Sequence, residues 1–189
     1  MSGGRLTRLQ RRILDLFWRN RRELGDLVRD AIDALHRDGL ETHVLRTAPA
    51  FAELRVTDGV DACVVDLVAE PFPPVEAPIE ADLEGKAIAV DTKRELLASK
   101  LSALLERSEI RDLADVKALL NAGGDLEGGL RDAPAKDSGF SPLTLAWVLR
   151  GYDPRPGARA LGLDDAQAGE LVAFQEWLVD RLTRLGAPE

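Results

Sequence analysis

The chain has 189 residues, enough for one domain or for a core domain with a smaller appendage. Its 45% hydrophobic and 31% charged content matches a soluble globular protein rather than a disordered one. No apolar run approaches the roughly 18 residues that span a bilayer. The basic N-terminus lacks the apolar core of a secretion signal, so no membrane and a cytoplasmic location are expected. One cysteine, Cys63, excludes an internal disulfide, and His36 and His43 are too few and too isolated for a zinc site.

The formal net charge of −8 argues against a protein coated in nucleic acid. Residues 1–22 nevertheless hold seven arginines against one acid, Asp15. That segment is either a solvated helix face or a surface that meets phosphates.

In chain order, Leu24, Leu27, Val28, Ile32 and Leu35 form one stripe, predicting an amphipathic helix over 21–38 that Gly39 ends. ETHVLRT and FAELRVTDGVDACVVDLVAE predict strands, with Asp58-Gly59 as a hairpin turn. PFPPVEAP marks a surface crossing and KAIAV a short strand. From Thr92 the patterning turns helical. TKRE predicts a reciprocal capping box between Thr92 and Glu95, opening a helix to about Arg107. SEIRDLADVKALLNAGG predicts a helix closed by Gly123. Ser141, Pro142 and Gly151 frame the next, and a final helix over 164–185 is expected to pack through Leu171, Phe174, Leu178 and Leu182. Gly123-Gly124 and Gly128-Gly129 look like turns. The expected organisation is an α+β core over 1–90 followed by an all-helical half over 91–189.

Three residues do not fit their surroundings. Asp66 interrupts ACVVDLVAE, which is apolar on both faces, the pattern of an interior strand. It is either a carboxylate near a strand end, exposed or capping a turn, or a metal ligand. Asp15 lies in ILDLFWR. As a strand it would share a face with Ile13 and Phe17; as a helix it falls outside the Leu6, Leu9, Ile13, Leu16, Phe17 stripe, among arginines. Lys100 falls inside the arc of Leu96, Leu97, Leu101, Leu104 and Leu105, with Arg107 on the same side. The pair either snorkels to solvent or points into a phosphate-binding cleft. Arg111, Asp112 and Asp115 read as a solvated polar face. No Ser-His-Asp or Cys-His arrangement and no P-loop can be drawn, which leaves carboxylates and cations, the equipment of metal-assisted phosphoryl chemistry.

These residues resemble the nucleotidyltransferase toxins of the AbiEii/AbiGii type, found in type IV toxin–antitoxin and abortive-infection systems. SKLSALLERSEIRDLADVKALL carries the strongest likeness through Lys100, Ala103, Leu104, Arg107, Arg111, Asp112 and Asp115. VDLVAEP resembles the family's third-carboxylate strand, placing Asp66, and LDLFWR the end of its paired-aspartate motif, placing Asp15. SGGRL at Ser2–Leu6 looks like the preceding Gly-Gly loop. The resemblance covers residues 2 to about 125. It implies a nucleotidyltransferase-like mixed sheet with flanking helices, and transfer of a nucleoside monophosphate from an NTP to an acceptor such as RNA. Magnesium or manganese would be the cofactor and a cognate antitoxin a partner. It further implies Asp15 and Asp66 as metal ligands, and Ser2, Gly3, Gly4, Lys100 and Arg107 as nucleotide-binding residues. Asp15, Asp66 and Lys100 together would be catalytic and are expected to converge on one cleft. The family's paired motif is Asp-x-Asp, whereas Ile13 stands at its first position here, and the strand that normally precedes the Gly-Gly loop is not found ahead of Ser2. The resemblance therefore implies either an impaired transferase or a catalytically degenerate protein that binds nucleotide or a partner.

Overall fold

A computed structural model describes residues 24–69, 72–83 and 85–187. They form an α+β arrangement. Helix α1 (Leu24–Arg37) precedes strands β1 (Glu41–Ala48), β2 (Phe51–Thr57), β3 (Ala62–Val68), β4 (Ile79–Leu83) and β5 (Lys86–Val90). Helices follow: α2 (Lys93–Arg107), α3 (Ile110–Asn121), α4 (Leu126–Asp132), a 3-10 turn (Ala133–Ala135), α5 (Pro142–Arg150), α6 (Pro154–Ala160) and α7 (Asp165–Gly186). No described helix is long and apolar enough to cross a membrane. The chain divides into two compact units, one drawn from residues up to 73 with 80–89, the other from 74–79 with 90 onward.

In the first unit, β1, β2 and β3 form an antiparallel sheet in that order, with a register shift between Val44 and Arg46. The two-residue period of β2 sends Ala52, Leu54 and Val56 to one face and Glu53 and Arg55 to the other. Leu24, Ala31 and Leu35 of α1 bury against that apolar face together with Leu40 and Leu67. Gly39, at φ +70, supplies the left-handed step that ends α1. The mixed sheet expected in the 1–90 core resolves, among the described residues, into this antiparallel sheet and a separate β4–β5 pair. The IEADL strand escaped sequence reading because it is only five residues long, carries two acids of low strand propensity and adjoins a proline-rich stretch.

The interior-strand expectation for β3 is corrected. Among the described residues β3 pairs only with β2, and Val64 and Val68 are 57% and 54% exposed. Its apolar residues on that face misled because valine is favoured on any pleated surface, covered or not.

The second unit is built around Leu97, Leu101, Leu104, Leu113, Val116, Leu145, Leu149, Leu178 and Leu182. Each fully buried leucine contributes about 1.5–3 kcal/mol relative to exposure. The helix frames follow their sequence signals closely. Ser141 Oγ accepts from Thr144 N at 3.1 Å, and Asp164 forms a capping box with Gln167. Leu171, Leu178 and Leu182 of α7 are buried as expected, with Phe174 partly buried against them.

Two local expectations are overturned. Gly128 and Gly129 are not a turn; both are buried inside α4, where a Cβ on Gly129 would lie 2.8 Å from Leu97 Cγ. Glycine is required there by the close approach of α4 to α2. The Thr92–Glu95 capping box is only half made. Thr92 Oγ1 accepts from Glu95 N at 3.2 Å, but the buried Glu95 carboxylate turns away to accept from Val75 N at 2.7 Å and to pair with Lys136.

Candidate functional site

Lys100 stands two turns before the end of α2, on the same side as Arg107, because seven residues make almost two helical turns. Ser108, in the left-handed region at φ 50, turns the chain so that α3 begins at Ile110. Asp112 and Asp115 then lie three residues apart on one side of α3. The short connection brings the two cations and two acids together.

Lys100 Nζ donates to Asp112 Oδ1 at 3.0 Å and lies 2.7 Å from Asp115 Oδ2. Arg107 grips the same carboxylate with two parallel bonds, Nε to Oδ2 at 2.8 Å and Nη2 to Oδ1 at 3.0 Å. The Asp112 side chain is 1% exposed, against 28% for Lys100, 52% for Arg107 and 48% for Asp115. Burial alone would raise the Asp112 carboxyl, but the hydrogen bonds from Arg107 and Lys100 outweigh it and hold the group below the usual carboxylate range. Burial likewise pulls the Lys100 ammonium down, and the bonds to Asp115 and Asp112 more than reverse this. The Asp112 bond raises Arg107. All of these shifts keep the cluster ionised, with Lys100 a fixed cation rather than a base.

The solvated-face reading of Arg111, Asp112 and Asp115 is therefore wrong for Asp112. It holds for Arg111, exposed and 3.9 Å from Glu109. The signal was present: cations at i, i+7 on one helix and acids at i, i+3 on the next, across a two-residue link. Lys100 lines a groove of about 350 Å³ between α2 and α3, together with Lys93, Leu96, Asp115, Leu119 and Ala122. Lys93 Nζ donates to the Ala122 carbonyl at 2.9 Å beside it.

Asp66 belongs to the first unit. It is exposed on the face of the sheet opposite α1, directly across from Glu53 of β2. Residues in register on neighbouring strands bring their Cβ atoms to about 4.5–5.5 Å, so Glu53 is a second carboxylate beside Asp66 that sequence patterning did not single out. Both offer hard oxygen donors of the kind magnesium takes. The donor chemistry fits a divalent ion; the number is incomplete, since no group of three or more His, Cys, Asp or Glu gathers among the described residues. Ser2, Gly3, Gly4, Ile13 and Asp15 lie outside the described residues.

A family model described as nucleotidyl transferase AbiEii toxin, type IV TA system, matches residues 14–165. The matched span takes in Asp15, Asp66, Lys100, Arg107, Asp112 and Asp115. No curated protein and no solved structure matches the chain. Residues 14–165 cover most of the sequence, and the chain belongs to the nucleotidyl transferase AbiEii toxin family of type IV toxin–antitoxin systems.

Proposed function

We propose that the protein acts on an NTP in the cytoplasm, moving its nucleoside monophosphate to an acceptor such as RNA, with turnover limited by Ile13. The family match supports nucleotidyl transfer in general. The observation that carries the reading furthest is the Lys100 ammonium, kept charged by Asp112 and Asp115 in the lining of a groove. A fixed cation of this kind is suited to the charge of a triphosphate.

In this reading an acceptor hydroxyl oxygen bonds to the α-phosphorus while the bond to the bridging oxygen of the β-phosphate breaks. Pyrophosphate leaves with that electron pair, and the hydroxyl proton passes to solvent or a carboxylate. Lys100 and Arg107 offset triphosphate charge, and the Gly3-Gly4 amides touch the phosphates. Asp15 and Asp66 would hold the metal ion. Magnesium, or manganese in its place, supplies charge stabilisation at the attacking and leaving oxygens when bound. A cognate antitoxin is the expected protein partner.

The second reading is a degenerate descendant that binds nucleotide or a partner without transfer. Ile13, in place of the family's first paired aspartate, favours it. A radiolabelled NTP-transfer assay against total RNA, with magnesium and then manganese, separates the two. Weak transfer that disappears in Asp66→Ala supports the first; nucleotide binding with no transfer supports the second.

A further inference from the structure

The Lys100 ammonium has three N–H donors, of which Asp112 and Asp115 take two, leaving one to meet a phosphate oxygen. A lysine side chain turns about four rotatable bonds, so its placement in a groove lining requires something to hold it. Asp115 makes the shorter contact, at 2.7 Å, but its carboxylate is about half exposed, so water competes for it. Asp112 is the stronger holder, because its carboxylate is buried and its own orientation is locked by the two-pronged grip of Arg107. Stability does not account for such a pair, since buried ion pairs are commonly no better for stability than apolar residues of the same volume.

We propose that Asp112, oriented by Arg107, is a positioning residue that fixes the Lys100 ammonium for a nucleoside triphosphate. The inference rests on the nucleotide reading of Lys100. Asp112 does not itself touch the nucleotide; it acts through the lysine, and Arg107, besides offsetting triphosphate charge, locks the Asp112 carboxylate in place.

Two readouts test it on the full chain. The first is binding of labelled ATP, GTP, CTP and UTP in turn, with magnesium, by equilibrium dialysis. Asp112→Asn should weaken binding roughly ten- to hundredfold, the size of a lost hydrogen bond to a charged group. Lys100→Ala should do the same, and adding Asp112→Asn to Lys100→Ala should weaken binding no further, since residues that act as one unit are not additive. The second readout needs no nucleotide: the rate of Lys100 acetylation by acetic anhydride, followed by mass spectrometry. It should rise several-fold in Asp112→Asn while Lys117, which pairs with Glu170 elsewhere on α3, keeps its rate. Where Asp112→Asn fails to fold, Arg107→Gln serves, with the same selective rise expected. Binding lost in Lys100→Ala but kept in folded Asp112→Asn overturns the positioning role alone, as does unchanged Lys100 labelling in either variant. Absence of NTP binding by the unaltered chain overturns the nucleotide reading and this inference with it.

Discussion

Lys100 Nζ lies 3.0 Å from Asp112 Oδ1, joining the one cation that sits within an apolar arc of α2 to the one carboxylate buried in α3. Arg107 closes the same carboxylate from the other side. Removing Asp112 therefore leaves two cations without their shared partner. Asp112→Ala should cost about 1.5–3 kcal/mol of unfolding free energy, the size of lost hydrogen bonds to charged groups, because Lys100 and Arg107 keep access to water. Asp115→Ala, at a half-exposed carboxylate, should cost at most about 1 kcal/mol. Urea melts of the two variants check the ordering; equal effects would mean that burial does not set the strength of the cluster.

The cluster also sets a pH window. Asp112 is held below the usual carboxylate range, so its contribution is fully present above about pH 4 and is lost as the pH falls through the depressed value. Lys100 is raised, so its contribution is fully present below about pH 10 and is lost as the pH rises through the raised value. Thermal stability should be flat between these limits as far as this cluster is concerned. Asp112→Asn should be less stable near neutral pH and should lose stability with a shallower slope on the acid side. Melting temperatures across the acid limb, for both chains, measure the difference.

The buried Glu95–Lys136 pair anchors the 74–79 segment through Val75 N. Lys136→Met should destabilise by about 3 kcal/mol or more, because it strands the Glu95 charge. Glu95→Gln in that background should recover part of the loss, since an amide can still accept from Val75 N. A double-mutant cycle in urea reads the coupling, and simple additivity would show that the two residues do not share a site.

Gly129→Ala tests the helix packing. Its Cβ would fall 2.8 Å from Leu97 Cγ and 3.1 Å from Leu101 Cδ1, and overpacking of this kind costs about 1–3 kcal/mol. An unchanged midpoint in urea would show that α2 and α4 part without penalty.

Much of the fold was legible in the sequence because its signals are local. The Thr92 and Ser141 starts and the Gly39 and Gly123 ends all appear where the residues at those positions put them. What escaped was set by neighbours distant in sequence. Glu95 completes no capping box because Lys136, 41 residues away, competes for its carboxylate. Gly128 and Gly129 look like a turn until Leu97 is seen against Gly129. The site was legible in the same uneven way. Lys100 stood out as a charge on an apolar arc, whereas Asp112 looked like surface because only tertiary packing buries it. Glu53 carries no signal of its own, and register alone places it opposite Asp66.

The proposed nucleotide site, impaired by Ile13, stands or falls on RNA labelling. Transfer of label from an NTP to total RNA is measured with magnesium for the unaltered chain, Ile13→Asp, Asp15→Ala and Asp66→Ala. Loss of a ligand that acts at the transition state lowers turnover more than binding. The unaltered chain should therefore transfer poorly or not at all. Ile13→Asp should raise transfer, and should lower the metal-free melting temperature because clustered carboxylates repel one another until an ion arrives. Robust transfer by the unaltered chain that persists in Asp15→Ala and Asp66→Ala would contradict the account.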